Sequence, residues 1–141
     1  MTDDEPAKPT IPVAIREYTM GTPGEHNNYR LFPAEWDTDP EIFFHGTEDR
    51  VRQAIFDEGF SLPSPDKAQS VSFSRTCNLA LSYACGKRSE ASPDGVVIAV
   101  RFGADNKSVK AEESFGLHVT RFDPQPEIIG YCTVPNAYSY R

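Results

Sequence analysis

The run Gly95-Val-Val-Ile-Ala-Val-Arg-Phe102 constrains this chain more than any other stretch. It is apolar, rich in β-branched residues and lacks alternation with polar residues, so it predicts a strand covered on both faces near the middle of a sheet. Such a strand needs neighbours on either side and apolar cover above and below. With 141 residues the chain suits one domain with a core of its own. The expected organisation is a disordered acidic, proline-bearing tail over 1–10 and a single domain over 11–141.

The elements expected around that strand are short. Residues 11–19 carry enough β-branched and aromatic character for a first strand, and Gly21–Pro40 reads as a long surface connection. Within it a brief extended piece at Tyr29–Phe32 is expected to pack around Trp36. A strand over 41–45 leads into a helix over 48–58 that Thr47 can cap, with Val51, Ala54 and Ile55 on one face and Gly59 as its stop. After a loop over 61–70 comes a short strand, Val71–Ser74, and a helix from Cys77 to Cys85 capped by Thr76 and closed by Gly86. Strands are expected near 107–111, over 117–122 and over 127–134, the last following a turn set by Pro124 and Pro126. Few short helices and many unevenly spaced strands predict an α+β fold with a mostly antiparallel, two-sheet core.

Charge and cysteine usage narrow the function classes. Fourteen Lys+Arg against 21 Asp+Glu leave a net charge of -7, which disfavours extended non-specific binding to nucleic acid. Cys77, Cys85 and Cys132 are odd in number and lack zinc-ligand spacing, so they read as reduced thiols in a reducing compartment, with no metal expected. Without an apolar leader or a run of membrane-spanning length, the protein reads as soluble and cytoplasmic, or as an effector or toxin delivered into another cell.

The chemistry-bearing residues fall in three places. His45-Gly46-Thr47 ends the strand that begins near Glu41, Phe73-Ser74 is followed nine residues after the serine by Tyr83 on a helix, and Glu127 opens a late strand. Each has a plainer reading on its own. Histidines commonly hydrogen-bond where a strand leaves a core, Tyr83 at i+4 from Leu79 suits an amphipathic core face, and Glu127 after Pro126 suits solvent. Ser74 and Thr76 suit helix caps, while His26 and His118 read as surface or packing residues.

In order and spacing these residues resemble the ADP-ribosyltransferase superfamily, specifically the His-Tyr-Glu branch that contains diphtheria toxin and the poly-ADP-ribose polymerases. The resemblance covers residues 41 to 134. It implies a split β core holding NAD, which is cleaved to nicotinamide through a ribose that carries positive charge. By that resemblance His45 would hydrogen-bond the adenosine-side ribose, and the Gly46 backbone would hold the nicotinamide carboxamide beside Thr47, Phe73 and Ser74. Tyr83 would stack on the nicotinamide ring, and Glu127 would stabilise the ribosyl cation.

Two positions depart from the branch's pattern. Ser72 stands where many members carry a second stacking tyrosine, and Ala80 stands where polymerases carry a carboxamide-binding serine. The aromatic sandwich is then one-sided, or Phe73 or a residue of the 61–70 loop completes it, and Ser74 or Ser82 would bind the carboxamide. The late part of the chain also lacks the Glu-x-Glu pattern of the arginine-modifying branch. The implied function is mono-ADP-ribosyl transfer from NAD to a protein, nucleic-acid or small-molecule acceptor. Its rivals are an NAD-dependent RNA 2'-phosphotransferase, an NAD glycohydrolase and a catalytically silent NAD- or partner-binding module.

Overall fold

Gly95–Arg101 does form a strand, and each residue from Val96 to Val100 has no exposed surface. The computed structural model describes residues 15–61 and 70–140. The expected tail, the first residues of the expected 11–19 strand and nearly all of the 61–70 loop lie outside the described residues. In chain order the elements are β1 (Arg16–Glu17), β2 (Ile42–Glu48), α1 (Arg52–Glu58), β3 (Val71–Ser74), α2 (Cys77–Gly86), β4 (Gly95–Arg101), β5 (Val109–Glu113), β6 (Gly116–Arg121) and β7 (Glu127–Val134). The strands form one seven-stranded sheet in the order β1-β7-β4-β2-β3-β6-β5, antiparallel except for the β1–β7 pair. No helix among the described residues is long and apolar enough to cross a membrane.

The sheet is continuous, yet it has a seam. β2 pairs with β4 along its whole length, from Ile42↔Arg101 to Glu48↔Gly95, but with β3 only at Phe44↔Ser74. β3 instead pairs fully with β6, and β6 with β5. Two leaves, β1-β7-β4-β2 and β3-β6-β5, therefore meet at a single residue pair.

Alternation along the strands divides the core into two layers. Phe44, Val97, Ala99, Cys132 and Val134 face α2, which contributes Ala80, Leu81 and Ala84. Phe43, Val96, Ile98, Val100, Leu117 and Val119 face the other way, with Phe60, Phe73 and Phe102 and the half-buried Ile55 and Phe56 of α1. Gly46 and Gly95 bring α2 onto the sheet. A Cβ on Gly46 would stand 1.9 Å from the Ala80 carbonyl oxygen, and one on Gly95 would stand 2.5 Å from that of Ala84.

Several expectations need correction. Residues 21–40 are not a surface connection only, because Tyr29, Leu31 and Phe32 are buried in the α2-side core. Consecutive left-handed residues, Asn28 and Tyr29, turn the chain inward, and Phe32 stacks between Phe44 at 5.6 Å and Trp36 at 5.3 Å. No strand forms at 29–32. Thr47 does not cap a helix, since its pairing with Val96 keeps it extended, and a 3-10 turn over Asp49–Val51 precedes α1. There Ser92 Oγ accepts the Arg50 N–H at 3.1 Å. Thr76 does cap α2, accepting the Leu79 N–H at 3.3 Å, and Gly59 takes φ 87° at the end of α1.

Candidate functional site

The site lies where the seam opens. Ser72 turns its carbonyl toward β2 and accepts a hydrogen bond from His45 Nδ1 at 2.8 Å. Because backbone groups alternate in direction along a strand, Ser74 turns the same way to meet Phe44, and Gly46 turns its own N–H and C=O toward the gap. Beyond Phe44 no β3 residue pairs with β2, so that edge of Gly46 faces the cleft.

His45 sits on the floor of this opening. Its ring lies edge-on to Phe60 at 5.1 Å and tilted against Phe73 at 5.4 Å. Burial lowers its pKa below the ordinary histidine value, the Ser72 carbonyl opposes that shift, and the charge of Lys87 adds to it. The neutral ring thus carries its proton on Nδ1, leaving the Nε2 lone pair as an acceptor.

One half of the cleft, a cavity of about 640 Å³, brings His45, Gly46 and Thr47 together with Tyr83 and Lys87, walled by α1 residues including Ala54 and Glu58. Tyr83 is 45 % exposed, so it does not serve the core, and it also lines the second half. That half, about 460 Å³, is polar on the sheet side, with Ser72, Ser74, Glu113 and His118, and α2 adds Ser82. Here Ser72 Oγ lies 2.8 Å from His118 Nδ1, and His118 Nε2 lies 3.2 Å from Glu113 Oε1.

The remaining predicted residues divide. Ser74 is buried at the lip of the second half, whereas the ring of Phe73 points through the sheet into the opposite core, against Phe60 at 5.0 Å and Phe102 at 5.3 Å. Phe73 therefore does not face Tyr83, and no second aromatic from β3 completes a sandwich. Ala80 is fully buried with its backbone against Gly46, so position 80 is taken up by helix packing, while Ser82 reaches the cleft.

Glu127 is not brought to the cleft. It pairs with Arg101 at the far end of β4 and lines a neighbouring depression with Gln125, on the other side of Ile55, Glu58 and Gly59, which border both. The β7 residue in the row of His45 and Ile98 is Tyr131, and Glu127 stands in the row of Arg101 and Ile42, three rows or about 10 Å away. The reading from sequence missed His118 and Glu113. They join the site through the β3–β6 and β5–β6 registers, which leave no local signal.

Neither the protein-family models nor the curated proteins searched give a match to this chain.

Proposed function

We propose that the chain is a mono-ADP-ribosyltransferase that binds NAD across the seam, releases nicotinamide and transfers ADP-ribose to an acceptor. The observation that carries this reading is the meeting of His45, Gly46 and Thr47 with the exposed ring of Tyr83 in one cleft. A tyrosine nearly half exposed at such a place suits a ring that stacks on a flat cationic ligand. The Gly46 edge suits a carboxamide, which needs one donor and one acceptor side by side. His45, neutral at pH 7 with a free Nε2 acceptor, suits a ribose hydroxyl.

The negative charge facing the ribosyl cation falls in this reading to Glu113, which lines the cleft beside Tyr83, and not to Glu127. A carboxylate there lowers the barrier because the charge it opposes develops only in the transition state. Turnover of adenylate-labelled NAD is the test. Glu113→Gln is expected to slow nicotinamide release about 100-fold, whereas Glu127→Gln changes it less than about threefold. The reverse ranking would return the role to Glu127. Release without labelled acceptors in a lysate would make the protein a glycohydrolase, and NAD binding without release would make it a binding module.

A further inference from the structure

We propose that Ser72 is a nucleophilic serine, activated by His118 and oriented through Glu113, and that it accepts ADP-ribose when NAD fills the cleft. The second half of this inference rests on the transferase reading; the first stands on geometry alone. Three side chains from three strands stand in one line: Ser72 Oγ is hydrogen-bonded to His118 Nδ1 at 2.8 Å, and the Glu113 carboxylate lies 3.2 Å from His118 Nε2 as its charge partner.

The carboxylate sets the polarity that a base at this place needs. A carboxylate only accepts, so beside Glu113 the neutral ring that acts as base keeps its proton on Nε2. Nδ1 is left with a lone pair, and the only proton between it and Ser72 is the serine's own. This is the arrangement in which a hydroxyl can lose its proton as it attacks.

Its rigidity comes from the sheet. Ser72 and His118 are directly opposite in the β3–β6 ladder, and Ser72 spends its carbonyl on His45 on the other side. Its backbone groups therefore face β2, which makes Ser72–His118 a non-hydrogen-bonded pair, the type whose side chains stand closest. His118 and Glu113 remain 38 % and 60 % exposed, so the line does little for stability and is open to a ligand. Ser72 also lines both halves of the cleft, next to Tyr83.

With NAD bound, Ser72 Oγ bonds to C1' of the nicotinamide-bearing ribose while the bond from C1' to the ring nitrogen breaks. The electron pair of that bond leaves with nicotinamide, which departs neutral. The hydroxyl proton passes to His118 Nδ1, and the imidazolium, paired with Glu113, gives it up to water. The product is an O-glycosidic ADP-ribosyl serine, and because the serine alkoxide is a far poorer leaving group from C1' than nicotinamide, the mark lasts. Because Ser72 occupies His118 Nδ1, it stands ahead of any external acceptor for that base.

Two arms test this. In the first, without NAD, the wild-type protein is treated with a fluorophosphonate and mapped by peptide mass spectrometry. Labelling is expected at Ser72, absent in Ser72→Ala, slowed about 100-fold in His118→Gly and restored there by added imidazole. Ser72→Ala keeps the backbone carbonyl that His45 uses. A folded wild type unlabelled at Ser72, or a His118→Gly rate equal to wild type, overturns the nucleophile. In the second arm the protein is incubated with NAD while nicotinamide release is followed. One ADP-ribose on Ser72 supports the acceptor role. Release with Ser72 unmodified overturns that role and spares the transferase reading, and no NAD binding overturns both.

Discussion

His45 couples the cleft to pH through its own burial. Its ring is neutral because the surroundings of Phe60 and Phe73 disfavour charge, so its folded pKa lies below the ordinary value of 6.5. The unfolded chain then binds the proton more readily than the folded one. The stabilising contribution is present above pH 6.5 and is lost as pH falls below it toward the folded pKa. Thermal melts between pH 7.5 and 5 are expected to drop more steeply for wild type than for His45→Gln, and parallel curves would contradict this placement of the proton. Ser72 shows the same economy at one residue: its carbonyl fixes His45 and its hydroxyl meets His118. Small size makes that possible, for a tyrosine at position 72 would carry its hydroxyl beyond this contact.

Among the elements, α2 is held to the sheet by the absence of side chains more than by their presence. At Gly46 and Gly95 the helix backbone occupies the space a Cβ would need. Gly46→Ala is expected to cost about 2 kcal/mol or more, since the contact is with backbone that cannot rotate away. Denaturant melts measure this, and a loss under about 0.5 kcal/mol would show that α2 shifts freely. Elements with strong local patterns were legible in the sequence: β3 and β7 span the expected residues, and α2 starts at its expected cap. Elements decided by long-range contact were not. β5 lies two residues later than expected because its pairing with β6 sets its limits, and Thr47 stays extended because of Val96 across the ladder. The cleft follows the same division. His45, Gly46 and Tyr83 announce themselves through residue type and spacing, whereas His118 joins Ser72 only through a cross-strand register 46 residues apart.

At the scale of the whole molecule, the protection of each strand should follow its place in the sheet. β4 is paired on both sides and buried up to Arg101, while β5 is an edge strand with mostly exposed side chains. Amide exchange in β5 and β6 is expected to run roughly 100-fold faster than in β4, with β2 close to β4; uniform protection would argue against independent opening of the smaller leaf. Side chains do cross the seam, as Phe73 of β3 packs on His45 of β2, so the leaves share a core although they scarcely share a ladder. The single Phe44–Ser74 rung then acquires a mechanical meaning. A molecule lying across the gap would stand in for the missing rungs, so its binding energy would appear partly as stiffness, slowing exchange in strands it never touches.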